Sequence, residues 1–310
     1  MSALPTPLKW SSPCDLVLQG HSGIVYATAV LPDNRIVSAS GDRELRVWSI
    51  TANRVSCDAV LRGHTGPVFS IAVLLDSRIV SSSYDSTIRI WSLAPDNTPR
   101  CDTVFKPTNL QPNVRALAVA VSSDGKIVGG YSDNKIRIFT VGGICESELE
   151  GHTSGVRAIA TLADGKIVSG SYDLTVRIWS GSKCLHVLEG HTKEVNGIGV
   201  LLDGRIVSCS SDKTIRVWNT QKNGITCDIV ITGHAHGIRA MAVLSDGRVA
   251  SGSSFGKLRV WTIKSNVYTS DLVVQGHSDS IRGVAGMIDG RIVTTSEDCT
   301  VRVTAPTGSS

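Results

Sequence analysis

The stretch GSYDLTVRIW, residues 170–179, is the clearest indication of the fold, because nearly the same ten residues recur along the chain. Residues 82–91 read SSYDSTIRIW and residues 209–218 read CSSDKTIRVW. Each copy predicts a strand, a tight turn and a second strand. A catalytic motif needs to occur only once, whereas a recurring motif is typical of architecture, so the extent of the repeat has to be settled before the function.

Gly-His pairs mark the length of the repeat. Six pairs occur, with spacings of 43, 88, 39, 43 and 43 residues, so the gap of 88 holds two copies, one of which lacks the pair. The second marker is the residue, usually Trp, at the end of the predicted third strand of each copy. It occurs seven times, which predicts seven copies. The Gly-His pairs begin at Gly20, Gly63, Gly151, Gly190, Gly233 and Gly276. The second markers are Trp48, Trp91, Phe139, Trp179, Trp218, Trp261 and Thr304.

Every copy also contains an Asp-Gly-type turn between two apolar runs, as in DGKIVS and DGRIVS. This pattern is the strongest local signal for a hairpin. A third strand ends at the second marker, and a fourth precedes the next Gly-His pair, as in CLHVLEG. Four short antiparallel strands in about 40 residues are typical of one blade of a β-propeller.

From about residue 14 to residue 305 the chain resembles the WD-repeat (WD40) family, on its Gly-His pairs and its Arg-aliphatic-Trp strand ends. The residue after the Trp is Ser, Asn or Thr where the family name has Asp, as in Trp48-Ser49, Trp218-Asn219 and Trp261-Thr262. The resemblance implies an all-β fold, a seven-bladed β-propeller of four-stranded antiparallel blades.

The N-terminal strand is predicted to close the ring. CDLVLQGH at the start is a fourth-strand sequence with no blade before it, and the last copy stops after its third strand, TVRVT. Residues 14–19 should therefore complete blade 7, which removes the open sheet edges. We expect a flexible N-terminal tail at 1–13, a single propeller domain at 14–305 and a C-terminal tail at 306–310.

The family resemblance implies an internal hydrogen-bond network in each of four blades. Ser and the Trp N–H donate, Asp accepts and His bridges them. A hydrolase triad is the competing interpretation, but a triad needs one set in an exposed cleft, and four equivalent sets indicate scaffolding. The sets are His21, Ser38, Asp42, Trp48; His64, Ser81, Asp85, Trp91; His152, Ser169, Asp173, Trp179; and His191, Ser208, Asp212, Trp218.

Three blades break this pattern. Blade 3 has Leu110 in the His position, Gly129 for Ser and Phe139 for Trp, and keeps only Asp133. Blade 6 has Phe255 in place of Asp, and blade 7 has Thr304 in place of Trp. The changes are either drift in a ring held by its other blades, or, in blade 3 with its longer FKPTNLQPN connection, the shaping of a partner surface.

Composition argues against several classes of protein. The net charge of +4 is too small for a concentrated nucleic-acid footprint. No apolar run reaches the length of a membrane span, and the N-terminus lacks a signal-peptide core. Five of the eight cysteines share one position of the repeat on different blades, too far apart to pair, and six of the eight histidines belong to Gly-His pairs. We predict an intracellular protein, cytoplasmic or nuclear, with no metal and no cofactor.

Two repeat positions are expected on the top face, around the central channel where ligands of this family often dock. The first position follows the first apolar residue after Gly-His and is Arg in four blades. The second position precedes the Asp in the turn between the second and third strands, as Tyr172 precedes Asp173. Arg and Tyr are enriched in interface hot spots, and Arg binds carboxylate or phosphate in a bidentate manner. The candidates are Tyr26, Phe69, Tyr84, Arg115, Arg157, Tyr172, Asn196, Arg239, Arg282 and Glu297.

These positions resemble those of phosphopeptide-reading WD-repeat substrate receptors of ubiquitin ligases, which use Arg there on neighbouring blades. The other interpretation is that the arginines pair with nearby acids or lie solvated. We predict a non-catalytic interaction scaffold or adaptor that is a monomeric ring within a multi-protein complex. Its top face is expected to bind proteins or peptide segments, including acidic or phosphorylated ones. The alternative is a substrate receptor or structural subunit of a ubiquitin ligase, ribonucleoprotein or chromatin assembly that uses its side or bottom faces. We expect the protein to bind neither membranes nor, directly, nucleic acids.

Overall fold

The Asp-Gly-type turns form three-residue hairpin loops in a computed structural model of the chain. In the first of them, the amide of Asn34 donates to the carbonyl of Leu31, and the residue after the Asp has a positive φ, 69° at Asn34 and 82° at Gly125. This geometry is a type I turn followed by a left-handed residue, for which Gly and Asn are suited. The structure describes residues 9–10, 16–51, 54–107, 111–220, 224–304 and 306–307.

The strands form seven four-stranded antiparallel sheets, which confirms the predicted fold class. Blades 1 to 3 consist of Val25–Val30, Ile36–Ser40, Leu45–Thr51, Arg54–Leu61; Val68–Val73, Ile79–Ser83, Ile88–Leu93, Pro99–Phe105; and Ala116–Val121, Ile127–Tyr131, Ile136–Phe139, Cys145–Leu149. Blades 4 and 5 consist of Val156–Thr161, Ile167–Ser171, Val176–Ser180, Lys183–Leu188; and Val195–Val200, Ile206–Ser210, Ile215–Asn219, Thr226–Ile231. Blades 6 and 7 consist of Ile238–Val243, Val249–Ser253, Lys257–Lys264, Val267–Gln275; and Ile281–Gly286, Ile292–Ser296, Val301–Thr304, Leu16–Leu18.

The N-terminal strand closes the ring, as predicted. Leu16 pairs with Val303 and Leu18 pairs with Val301. Cys14 and Asp15, the start of the predicted strand, lie outside the described residues. A second short ladder pairs Lys9–Trp10 with Pro306–Thr307, inside the two segments that the sequence predicts as tails.

The core lies between the blades. All seven second strands are buried along their whole length, because neighbouring blades cover both faces of each sheet, so these strands lack an apolar–polar alternation. The aromatic residue that ends a third strand packs into the apolar cluster of the preceding blade, as Trp91 does against Leu31 and Val37. Burial of each large aromatic side chain stabilises the contact between two blades by about 3 kcal/mol.

The seam between blades 6 and 7 lacks such an aromatic, because Thr304 ends the third strand of blade 7. A small cavity of about 10 Å³ lies beside Thr304, Leu258 and Ile281. A void of this size forfeits packing contacts on its lining. This seam is therefore packed less fully than the seams that contain Trp.

Candidate functional site

The four predicted His-Ser-Asp-Trp sets each lie within hydrogen-bond distance. In blade 4, His152 Nδ1 lies 2.7 Å from Asp173, its Nε2 lies 2.7 Å from Ser169 Oγ, and Trp179 Nε1 donates to the same oxygen over 2.8 Å. The corresponding distances in blades 1, 2 and 5 are 2.7 to 2.8 Å. Since Trp can only donate, Ser accepts from it and gives its own proton to Nε2, and the His proton sits on Nδ1 towards Asp. Histidine and serine are buried in every set, so no nucleophile faces solvent.

The Asp of each set is held ionised. Burial alone would raise the pKa of Asp42, but the hydrogen bonds from His21 and from the amides of Ser22 and Glu44 outweigh burial and lower the pKa to about 2. The same balance lowers the pKa of Asp85, Asp173 and Asp212. Each carboxylate thus remains charged at neutral pH and ties the loop before the first strand to the second turn.

Blade 7 contains a further set that the sequence interpretation missed. His277 lies 2.8 Å from Asp298 and 2.9 Å from Thr294 Oγ1, so Thr takes the place of Ser. The offsets of 17 and 21 residues from His, which the other blades share, are the signal that could have found it.

Blade 6 keeps His234 and Ser251, 2.8 Å apart, and Trp261 donates to the same serine. Phe255 leaves this histidine without the carboxylate that the other blades supply. Burial, together with the positive charge of Arg259, lowers the pKa of His234 to about 4. This imidazole is therefore neutral over most of the physiological pH range.

We expect His234 to make folding pH-dependent. The unfolded chain protonates this group near its ordinary pKa of 6.5 and the folded chain only near 4. The stability it contributes is therefore fully present above pH 6.5 and falls, by about 2–3 kcal/mol, as the pH drops towards 4. Urea unfolding of the wild type and of His234→Gln at pH 7.5 and 4.5 measures this loss; the exposed His186→Gln variant is the control, and an equal pH dependence in all three proteins would contradict the assignment.

Blade 3 replaces the polar network with aromatic packing and an ion-pair cluster. Tyr131 is fully buried, and a Cβ at Gly129 would lie 2.9 Å from its ring. Arg137 lies over that ring and pairs with Asp133 and Glu148, both at 2.7 Å.

Leu110, predicted in the His position of blade 3, lies outside the described residues. Counting back from Gly129 and Asp133 by the shared offsets of 17 and 21 places Pro112, not Leu110, in that position. Proline cannot supply the side-chain donor of a histidine, which accounts for the absence of the network.

Three aromatic candidates on the top face form one continuous stack across blades 1 and 2. Tyr26 stacks on Phe69 with ring centroids 4.2 Å apart, and Phe69 stacks on Tyr84 at 4.0 Å. The guanidinium of Arg115 lies 4.2 Å from the centroid of Tyr84, and that of Arg157 lies 5.5 Å from Phe69. These five side chains, here called the Arg–aromatic ladder, connect blades 1 to 4 at the channel mouth.

The four predicted arginines are not equivalent. Arg157, Arg239 and Arg282 line a channel cavity of about 210 Å³, whereas Arg115 lies outside its lining. Arg282 is neutralised by Glu297, with Nε 2.6 Å from the carboxylate. Among the described residues, no acidic side chain pairs with the other three. Burial in the channel lowers the pKa of Arg157, which nevertheless stays a cation.

The remaining candidates bridge blades or stand apart. Asn196 donates to Ser211 Oγ over 2.9 Å and to the carbonyl of Ile238 over 2.8 Å, and Arg239 donates to the same Ser211 oxygen over 3.1 Å. These bonds join blades 5 and 6 at the channel. Tyr172 is 40% exposed and lies outside the Arg–aromatic ladder.

In the part of the chain that the structure describes, no group of three or more His, Cys, Asp or Glu side chains is arranged to hold a metal ion. Among the same residues, no helix has the length and apolarity that crossing a membrane requires.

Comparison with solved structures places the fold. The crystal structure of the WD40 beta propeller domain of Doa1 superposes with a TM-score of 0.83 at 20% identity, covering 94% of this chain and 96% of that one. At this identity the likeness shows the fold alone. No curated protein matches the sequence.

A family model, "WD domain, G-beta repeat", matches residues 12–49, 55–92, 143–180, 182–219 and 268–304. The unmatched stretches hold most of blades 3 and 6, the two blades whose networks depart most from the repeat. These matches cover more than half of the 310 residues. The chain therefore belongs to the WD domain, G-beta repeat family, whose propellers are generally non-catalytic scaffolds for protein interaction.

Proposed function

We propose that the protein is a non-catalytic scaffold that binds peptide segments, acidic or phosphorylated, on its top face around the channel. The observation that carries this proposal is the Arg–aromatic ladder. A guanidinium stacked on a ring keeps its N–H donors in the plane, where they can meet a carboxylate or phosphate in a bidentate manner. The rings add apolar area that is already ordered, which limits the entropy lost on binding.

The charge of the channel mouth supports an anionic ligand. Arg157 and Arg239 line the cavity without an acidic partner among the described side chains, while Arg282 is satisfied by Glu297. Low dielectric around a half-buried cation strengthens its attraction for an anion. Of the four arginines predicted on the top face, we therefore propose that Arg115, Arg157 and Arg239, on blades 3, 4 and 6, bind the anionic ligand.

The test uses a display library of peptides in matched serine, aspartate and phosphoserine forms, selected on the intact protein. We expect the selected peptides to be acidic or phosphorylated. Selection of neutral or basic peptides would contradict the proposal. Phosphatase treatment of the selected phosphorylated peptides separates phosphate from carboxylate recognition.

Replacing both Arg115 and Arg157 by Ala should lower the affinity for the selected peptides about tenfold or more. Each lost bidentate contact removes about 1.5 kcal/mol of binding free energy. The melting temperature should fall only slightly, because neither side chain belongs to a blade network and Arg157 loses a single hydrogen bond, which its Nη1 donates to the carbonyl of Leu117 over 3.2 Å. The control is Arg54→Ala with Arg100→Ala, which removes the same charge from exposed outer strands. A large drop in melting temperature, or an equal loss in the control, would assign the two arginines a structural or non-specific role.

A bottom-face interaction, as a subunit of a larger complex, is the second candidate. Leu75, Leu202 and Ile288 are 88%, 76% and 67% exposed in turns at the end of the ring opposite the ladder. Large apolar side chains at this exposure are typical of contact sites when they cluster. Here they lie on blades 2, 5 and 7, so we rank this face below the ladder.

We further propose that the protein acts inside the cell, in the cytoplasm or nucleus, without a cofactor. Seven cysteines in the described part of the chain are free thiols, as a reducing compartment favours. Imaging of a fluorescent fusion with fractionation tests the location. Export of the fusion with oxidised cysteines would contradict it.

A further inference from the structure

Blade 6 departs from the repeat at one exposed position. Where blades 1, 2, 4, 5 and 7 have the Asp that binds histidine, blade 6 has Phe255, whose side chain is 60% exposed. Its ring lies 4.0 Å from that of His236, centroid to centroid, at an angle of 36°. The network residue has thus been exchanged for an aromatic surface.

The backbone holds Phe255 in place. Gln275 Nε2 donates to the carbonyl of Phe255 over 3.0 Å and to that of His277 over 3.1 Å. Gly256 follows with a φ of 68°, and a Cβ there would collide with the carbonyl oxygen of His277 on the neighbouring blade. The aromatic side chain is therefore presented from a rigid turn, and little entropy is lost when a ligand covers it.

Phe255 and His236 form one wall of a cavity of about 500 Å³ between the tops of blades 4, 5 and 6. Leu174, 37% exposed, adds an apolar contact on the far side. The cavity lies beside the channel mouth and shares Arg239 with it. We call this cavity the blade-6 groove.

The charge of the blade-6 groove is positive. Its lining includes Lys193, Lys213 and Arg239 but only one carboxylate, Glu194. In the described part of the chain no acidic side chain forms an ion pair with either lysine. An apolar anchor surrounded by unpaired cations is complementary to an apolar side chain surrounded by anions.

We propose that the blade-6 groove is a second binding site, which takes a peptide segment with one aromatic or large aliphatic side chain flanked by carboxylates. The ligand's apolar side chain stacks on Phe255 and contacts Leu174. Its carboxylates lie near Lys193 and Lys213. This site is separate from the Arg–aromatic ladder and does not depend on ligand binding there.

The test is fluorescence anisotropy with three labelled pentapeptides on the intact protein. The probes are Glu-Asp-Phe-Asp-Glu, the same peptide with Ala for Phe, and Gln-Asn-Phe-Asn-Gln. The variants are Phe255→Asn, Phe255→Leu and Lys193→Ala with Lys213→Ala. Asn offers His234 the hydrogen-bond partner that blade 6 lacks, so we expect this variant to fold.

The wild type should bind the first probe at least tenfold more tightly than either matched probe. Phe255→Asn and the double lysine variant should each bind the first probe at least tenfold more weakly than the wild type does. The affinity of Phe255→Leu for this probe should stay within threefold of the wild-type value. Leu202→Asn, at an even more exposed apolar position at the other end of the ring, should leave the affinity unchanged. A melting curve of each variant confirms that it is folded.

Two results would overturn the proposal. One is binding of all three probes within twofold by the wild type. The other is binding by Phe255→Asn as tight as that of the wild type, with loss instead in the variant that lacks Arg115 and Arg157. This second result would assign acidic peptides to the ladder alone and leave the proposed function standing.

Discussion

Deletion of residues 1–18 should destabilise the entire propeller, although the described residues of this segment form only the edge strand of blade 7 and the short pairing of Lys9–Trp10. Leu18 is 1% exposed and packs with Val301, Val303 and Trp48 across the junction of blades 7 and 1. Truncating one such side chain costs about 2–5 kcal/mol of the free energy of unfolding. Deletion also leaves the backbone N–H and C=O groups along one edge of the third strand of blade 7 unpaired. The poorly packed seam beside Thr304 adds to the weakness of this blade. We expect a lower urea midpoint and association on gel filtration.

Two point variants separate packing from chain length in this test. Leu18→Ala should lower the free energy of unfolding by about 2–5 kcal/mol. Val17→Ala, its 40% exposed neighbour on the opposite face, should change it by less than about 1 kcal/mol. Equal effects of the two variants, or an unchanged midpoint after deletion, would show that the strand does not hold the ring closed.

Asp173→Ala should strongly destabilise the propeller by breaking the network of blade 4. The carboxylate is 4% exposed and accepts hydrogen bonds from His152, from the amides of Thr153 and Thr175, and from the Thr175 hydroxyl. Removing it leaves the buried His152 ring and the partly buried donors of Thr175 unpaired, at a cost of about 3–5 kcal/mol. Thermal melting and urea unfolding measure the loss. Asp164→Ala, in an exposed turn of the same blade, should cost less than about 1 kcal/mol.

The pH dependence of Asp173→Asn gives an independent check. Since the folded protein holds the pKa of Asp173 below its ordinary 3.8, the stability from the carboxylate is present above that pH. It is lost as the pH falls below 3.8 towards the lowered folded value. The difference between wild type and variant should therefore shrink in acid. A constant difference, or an unchanged melting temperature at pH 7, would refute the network.

The sequence predicted more of the fold than is usual because each blade repeats the same local signals. The Asp-Gly-type turns, the four strands and the closing role of residues near Leu18 each follow from short-range patterns. The networks of blades 1, 2, 4 and 5 were also predictable, since their residues stand at constant offsets. The set in blade 7 was missed because Thr294 replaces Ser, although a hydroxyl was all that the position required.

For the candidate site, the sequence predicted which residues lie there but not how their side chains contact each other. Tyr26, Phe69 and Tyr84 were all identified, but their stacking depends on the distance between blades. Arg282 and Arg157 occupy the same repeat position, yet only Arg282 reaches an acid, because the carboxylate at Glu297 is particular to blade 7. The Tyr26–Phe69 stack arises between two blades, where no short-range pattern operates, whereas the Arg282–Glu297 pair lies within blade 7.

The number of blades, the order of their strands and the strand that closes the ring follow from the sequence alone, because each depends on local turn chemistry and a regular period. The tertiary structure is needed to show which arginines have no acidic partner among the described residues and that Phe255 faces solvent over the blade-6 groove. The physical reason is that pairing and exposure depend on the packing of neighbouring blades. Residues brought together in this way, such as Phe255 of blade 6 and Lys193 of blade 5, come from different repeats, and their proximity is set by the geometry of the ring.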